Sequence, residues 1–170
     1  MLAAMITALI RVTHGPEALA VTLSALVPAV AAGLLGDAVI LSATHDDAID
    51  RVADAVGATL VVADPDPWRQ GAQAARRDWL LCLEDGDVPQ EGWIRVLDRF
   101  VGLGAPEKGL ARLRRQGGVL AALRERLDRV LSPGRIRAGD LVRRRVLLEG
   151  DRPRGAVRLA ATIARDPVFG

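Results

Sequence analysis

Over its first hundred residues, the chain alternates four times between a short apolar segment and a segment with helical spacing of apolar residues. The apolar segments predict strands over 4–12, 38–42, 59–63 and 78–83, and the others predict helices over 16–35, 46–56, 68–77 and 90–101. Short strands that are apolar on both faces are typical of a mostly parallel sheet with helices on both faces. The predicted fold class is therefore α/β, built on such a sheet.

Polar residues collect where the predicted strands end, which is where open α/β sheets bind their ligands. The first strand ends in Arg11, Thr13 and His14, and the fourth leads into Glu84-Asp85-Gly86-Asp87. Hard divalent cations such as Mg²⁺ and Mn²⁺ prefer carboxylate oxygens and often share them with substrate phosphates. Segment 84–87 is thus a candidate metal and phosphate site. The alternative is a plain polar turn that caps the next helix.

The sequence around 84–87 resembles the Asp-any-Asp motif of GT-A glycosyltransferases, especially those of family 2. Three neighbouring features are also similar to that family: the small-residue segment 69–79, the run from Pro89 to Trp93, and the first strand with its end at 11–13. The resemblance extends over about residues 4–101. It implies a GT-A, Rossmann-like domain that binds a nucleoside diphosphate sugar together with Mg²⁺ or Mn²⁺.

The resemblance also assigns roles to individual residues. The family's acidic residue after the second strand has no counterpart in 42–45, where Asp46 and Asp47 follow slightly late, and Asp47 is the candidate for its role. The nucleotide-sugar-binding residues that it implies are Arg11, Thr13, Asp47 and Asp85. The metal ligands that it implies are Asp85 and Asp87. In the other register of the motif, Glu84 and Gly86 occupy the two positions, which leaves one carboxylate missing.

Sugar transfer with inversion needs a general base that activates the acceptor hydroxyl. The candidate bases are Asp140 and Glu149, and the family's downstream Gln/Arg-Trp signature is missing from this sequence. The predicted function is that of a short or degenerate family-2-like glycosyltransferase, which transfers sugar from a nucleotide sugar to an unknown acceptor. The alternative is a non-catalytic binding or assembly module with the same fold.

Charge is distributed unevenly along the chain. Residues 1–100 carry 7 basic and 14 acidic side chains, whereas 101–170 carry 16 basic and 7 acidic ones, and the balances of −7 and +9 give the formal net charge of +2. We predict a nucleotide-sugar-binding core over 1–101 and an arginine-rich part over 102–170 that completes the same domain. The arginines suit an anionic membrane surface, nucleic-acid phosphate, or pairing with the acidic first part.

The expected partners are a nucleotide sugar and either a lipid-linked acceptor or an anionic membrane surface, without nucleic acid.

In the arginine-rich part, helices are predicted over 110–131 and 157–165, and a strand feeding a helix over 136–148. The uncharged segment 18–36 is expected to pack as a helix on the sheet rather than to cross a membrane.

The single cysteine, Cys82, lies in a predicted core strand, and no basic leader precedes the first strand. The expected location is the cytoplasm, with the inner face of the membrane as a peripheral site.

Overall fold

The structure is a computed structural model that describes residues 5–103, 109–117, 134–150 and 155–169, together with 123, 126, 127 and 130. The strands in these ranges are β1 (Ile6–Arg11), β2 (Leu35–Ser42), β3 (Thr59–Val62), β4 (Trp79–Glu84), β5 (Asp87–Pro89), β6 (Leu110–Arg115), β7 (Asp140–Arg143) and β8 (Val157–Arg165). The helices are α1 (Pro16–Ala31), α2 (Asp47–Val56), α3 (Pro67–Ala74), α4 (Trp93–Gly102) and α5 (Arg144–Glu149). All eight strands belong to one sheet, in the order β3-β2-β1-β4-β7-β6-β8-β5.

Six of the eight strands run in the same direction, so their carboxyl ends lie at the same end of the sheet. β1 runs parallel to β2 and β4, and β2 runs parallel to β3. β7 is antiparallel to β4 and β6, and β8 is parallel to β6, so β6 and β8 run in the direction of β4. We call the end at which these six co-directional strands finish the carboxyl end of the sheet. β7 begins there, and so does β5, which is antiparallel to β8.

Helices cover both faces of the sheet. Ile10 of β1 belongs to one buried cluster with α1, α2 and α4, whereas its neighbour Leu9 belongs to another with α3 and α5. The same division separates Leu81 from Leu80 in β4. Strands buried on both faces need apolar residues at consecutive positions, which is the pattern that the sequence shows. The predicted fold class, an α/β fold with a mostly parallel sheet, is confirmed.

Helix α1 lies on the sheet, with Leu19 and Leu26 buried in the core. It is shorter than the predicted helix over 16–35, because the chain enters β2 at Leu35. None of the helices in the described part of the chain is long and apolar enough to cross a membrane. The burial of Leu19 and Leu26 confirms that the first part of segment 18–36, up to Ala31, packs as a helix against the sheet.

The helix predicted over 157–165 is wrong, and so is the first part of the helix predicted over 110–131. Residues 110–115 form β6, and residues 157–165 form β8. Buried residues alternate along β8 at Leu159, Ala161 and Ile163, the period of a strand, while the alanine and arginine content favours a helix. In the remainder of the helix predicted over 110–131, residues 123, 126, 127 and 130 are helical, and most of the others lie outside the described residues. The strand feeding a helix predicted over 136–148 is present as β7 and α5.

Helix α3 approaches β1 and β2 closely at Gly71, where an added Cβ would lie 3.0 Å from Cδ2 of Leu41 and 3.2 Å from Cδ1 of Leu9. Gly71→Val should overpack this contact and lower the free energy of unfolding by about 1–3 kcal/mol. Gly102→Val is the matched control, because nothing lies within 4 Å of a Cβ there. The control should change stability by less than about 0.5 kcal/mol in urea unfolding. Equal stability of the two variants would contradict the close packing of α3.

Candidate functional site

The turn between β4 and β5 fixes the loop that follows β1, through Asp85. This side chain is fully buried and accepts hydrogen bonds from the backbone N–H groups of Thr13, His14 and Gly15 at 2.9, 2.7 and 2.9 Å. The Thr13 hydroxyl donates to it at 2.9 Å, and Nδ1 of His14 lies 3.0 Å away. Burial alone would raise the pKa of Asp85, but these hydrogen bonds outweigh it and lower the pKa. The ionised Asp85 therefore acts as an anchor for the loop.

Glu84, the last residue of β4, is bound by two arginines. One carboxylate oxygen accepts a hydrogen bond from Nη2 of Arg11, and the other accepts one from Nη2 of Arg165 at 2.6 Å. The Arg11 guanidinium also lies over the Trp68 ring, 5.6 Å from its centroid. Burial would raise the pKa of Glu84, but the hydrogen bonds and charges of the two arginines lower it. Glu84 is therefore held as a carboxylate between two cations.

Asp87, the first residue of β5, forms a bidentate pair with Arg115 and is fully buried. Nη1 of Arg115 donates to Oδ1 of Asp87 at 2.9 Å, and Nη2 donates to Oδ2 at 2.8 Å. Oδ2 also accepts from the backbone N–H of Glu84 at 2.8 Å. Nη2 of Arg165 lies 3.7 Å from Oδ1. Both carboxylate oxygens of Asp87 are thus occupied from within the chain.

The three arginines that bind these carboxylates are the last residues of β1, β6 and β8. Because these strands all finish at the carboxyl end of the sheet, their guanidinium groups meet around the turn after β4. We call the set the arginine–carboxylate cluster; its members are Arg11, Glu84, Asp87, Arg115 and Arg165. Sequence reasoning missed Arg115 and Arg165 as site residues, because the strands that end in them were predicted as helices. The signal that could have found Arg165 is the alternation of apolar residues directly before it.

Of the remaining predicted site residues, Asp47 and Asp140 lie at the carboxyl end of the sheet, whereas Glu149 lies at the opposite end, because its helix follows the antiparallel strand β7. Asp47 begins α2, and its carboxylate is 90% exposed and 3.2 Å from Nε2 of His45. Because α2 follows β2, Asp47 also belongs to the carboxyl end of the sheet. Glu149 ends α5 and is exposed.

Asp140, the first residue of β7, lies at the carboxyl end of the sheet and is fully buried. Its two oxygens accept hydrogen bonds from Nε and Nη2 of Arg112 at 2.6 and 2.9 Å, and the N–H of Arg137 donates at 3.0 Å. Burial raises the pKa of Asp140, although Arg112 and Arg137 act in the opposite direction. The carboxylate predicted as a general base is therefore engaged on both oxygens.

The carboxylates predicted as metal ligands do not fit a divalent cation in this arrangement. Mg²⁺ and Mn²⁺ need carboxylate oxygens with lone pairs directed at the ion. The Asp85 oxygens accept backbone hydrogen bonds, and the Asp87 oxygens accept the Arg115 fork. Within the part of the chain that the structure describes, no group of three or more His, Cys, Asp or Glu residues could hold a metal ion.

No protein-family model matches the sequence, and no curated protein matches it either. Solved structures do match. One is glucosyl-3-phosphoglycerate synthase from Mycobacterium tuberculosis in complex with Mn²⁺, UDP and phosphoglyceric acid, with a TM-score of 0.59 and 19% identity over 84% of this chain and 57% of that one. The same synthase with Mn²⁺ and UDP-glucose gives 0.55 and 20% over 84% and 57%. A mycobacterial protein gives 0.58 and 18% over 95% and 65%.

This chain has the GT-A fold. The resemblance to GT-A proteins is therefore confirmed at the level of the fold. The structural neighbours include a glycosyltransferase solved with UDP-glucose and Mn²⁺, and with UDP and Mg²⁺. At identities of 18–20% the match concerns the GT-A fold alone, and this chain spans less than two thirds of the length of those neighbours.

Glu84→Gln removes the charge that Arg11 and Arg165 share. At neutral pH we expect the free energy of unfolding to fall by about 1.5–3 kcal/mol, the range for hydrogen bonds to charged groups. Since the folded-state pKa of Glu84 is lowered, its stabilisation is complete above the unfolded-state pKa of about 4.3. It is lost as the pH falls through the folded-state pKa. The gap between wild type and variant should therefore shrink below about pH 4.

Urea unfolding at a series of pH values from about 7 to 3 measures this gap. Asp54→Asn is the control, because Asp54 is an exposed carboxylate near the end of α2. It should change stability by less than about 0.5 kcal/mol throughout. A Glu84→Gln gap that stays constant down to acidic pH would contradict the role given to the ionised Glu84.

Proposed function

We propose that this chain is a glycosyltransferase-like protein that binds a nucleoside diphosphate sugar at the carboxyl end of its sheet. The observation that carries the proposal is the convergence of three segments there: the β1 loop, the end of β2 and the β4–β5 turn. Open α/β sheets bind their ligands at this position. Solved structures with the same fold contain UDP or UDP-glucose, which supports a ligand of this class.

Accessibility distinguishes residues that touch the ligand from those that position others. The side chains of Arg11 and Asp47 are 40% and 90% exposed, so both can contact a nucleotide directly. Thr13 is exposed in the loop that Asp85 anchors, and because its N–H and hydroxyl donate to Asp85, it can meet the nucleoside through oxygen lone pairs and apolar atoms. Asp85 itself is fully buried and acts through that loop. Mg²⁺ or Mn²⁺ accompanies UDP in the neighbours, but the geometry of Asp85 and Asp87 does not support its use by this chain.

The acceptor and the location belong to the same proposal. A lipid-linked acceptor would be reached from an anionic membrane surface, to which a basic, partly apolar segment binds peripherally. Support comes from Leu123, Leu127 and Val130, which are exposed, helical and spaced four and three residues apart. Arg126 lies among them and is exposed as well.

Asp47→Ala should weaken the binding of UDP-glucose about tenfold, because it removes one hydrogen-bonding contact at the mouth of the site. Isothermal calorimetry with UDP, GDP and their sugars measures the affinity. Asp54→Ala is the matched control, an exposed aspartate near the other end of the same helix, and should bind as the wild type does. If the folded wild type binds none of these nucleotides, the proposed function is wrong.

A second candidate function is nucleotide-sugar binding without transfer. The observation that favours it is the bidentate pair between Asp140 and Arg112, which occupies the candidate base. To accept a proton from an acceptor hydroxyl, Asp140 would have to leave Arg112. Glu149, the other candidate base, is exposed on α5.

Release of UDP from UDP-glucose separates the two candidates, with phosphoglyceric acid as a trial acceptor and water as the alternative one. Transfer through Asp140 predicts turnover that Asp140→Asn reduces at least about a hundredfold, the contribution of a general base. Binding without transfer predicts tight UDP-glucose binding and no difference in UDP release between wild type and variant. Circular dichroism of both proteins controls for loss of folding.

A further inference from the structure

We infer that the arginine–carboxylate cluster takes the place of a divalent cation, so that the diphosphate of the ligand is bound without metal. This inference rests on the proposed function and specifies how the same site neutralises its ligand. It starts from Asp87, whose two oxygens both bind the Arg115 guanidinium. A cation held by Asp87 would have to displace that guanidinium.

The charge of the cluster is sufficient for this role. Three guanidinium groups and two carboxylates give a net charge of +1, whereas a divalent cation on the same two carboxylates would give zero. Arginine stays protonated at physiological pH and binds phosphate oxygens through parallel N–H groups. Burial would lower the pKa of Arg115, but its pairing with Asp87 outweighs burial and raises the pKa. The cluster therefore keeps its positive charge inside the protein.

Arg11 and Arg165 are the members that a ligand can reach, with side chains 40% and 24% exposed. A guanidinium has five N–H donors, and the bonds to Glu84 use only Nη2 of each arginine. A diphosphate oxygen can therefore bind either guanidinium while both remain paired with Glu84.

His14 connects the cluster to the loop after β1. Its Nδ1 lies 3.0 Å from Asp85 and its Nε2 lies 3.2 Å from Nη1 of Arg165. These contacts fit the neutral tautomer with its proton on Nδ1, because Nε2 then accepts from the arginine. On another side of the turn, Phe169 covers Gly86, with its Cβ 3.3 Å from where a Cβ on that glycine would lie. A diphosphate therefore meets the cluster from the side of the β1 loop.

Calorimetric binding of UDP in EDTA and in Mn²⁺ tests the inference. We expect the two dissociation constants to agree within about threefold. Binding at least about tenfold weaker in EDTA would overturn the inference and leave the proposed function standing. Failure of the folded protein to bind UDP in either condition would overturn both.

Arg165→Gln should weaken UDP binding about tenfold in EDTA, since it removes one of the two accessible guanidinium groups. Arg145→Gln is the matched control, because Arg145 is an exposed arginine on α5. Its affinity should stay within about threefold of wild type. Equal losses in the two variants would mean that only total charge matters, which would overturn a specific role for the cluster.

A further measurement needs no nucleotide. Free Mn²⁺ gives an electron paramagnetic resonance signal that is lost when the ion is coordinated by a protein. We expect an excess of wild-type protein to leave this signal unchanged, because the oxygens of Asp85 and Asp87 are occupied. Stoichiometric loss of the signal would overturn the inference.

Discussion

Three fully buried carboxylates, Asp85, Asp87 and Asp140, impose the requirement that the rest of this fold meets. An unpaired carboxylate in a protein interior costs several kcal/mol, so each one needs dedicated partners. Backbone N–H groups of the β1 loop donate hydrogen bonds to Asp85, and arginines of β6 donate to Asp87 and Asp140. The acidic first part of the chain and its arginine-rich second part are therefore joined in one sheet by ion pairs as well as by strand pairing.

The hydrogen bonds and ion pairs that stabilise these buried carboxylates also determine which ligands the carboxylates can bind. A cation at Asp87 needs the same lone pairs that the Arg115 fork occupies, so stability and metal binding compete for one set of oxygens. Withdrawing Arg115 without replacement would leave a buried charge unpaired, which costs about 3–5 kcal/mol. The acidic turn therefore acts mainly on the stability of the fold, and it affects a ligand only through the arginines that bind its carboxylates.

The sequence predicts the first hundred residues well, because strands buried on both faces read as unbroken apolar runs such as Leu80 to Leu83. It fails for β6 and β8, where alanine and arginine favour helices and only tertiary packing selects the strand. Of the three roles that the sequence leaves open for the arginines, Arg115 and Arg165 adopt pairing with the acidic first part of the chain. Their partners lie 28 and 81 residues away, and no local pattern identifies contacts of that range.

The two registers of the acidic motif differ in which carboxylate faces a ligand. Asp85 and Asp87 are fully buried, whereas Glu84 keeps 17% of its side chain exposed. The most accessible acid of the turn is thus the one that two arginines flank, and each of those arginines is more exposed than Glu84 itself. At this turn, an approaching ligand therefore meets guanidinium groups before it meets Glu84, Asp85 or Asp87. Such a surface attracts an anion such as a diphosphate by its own charge, which is the task that a divalent cation performs where acidic residues face the ligand unpaired.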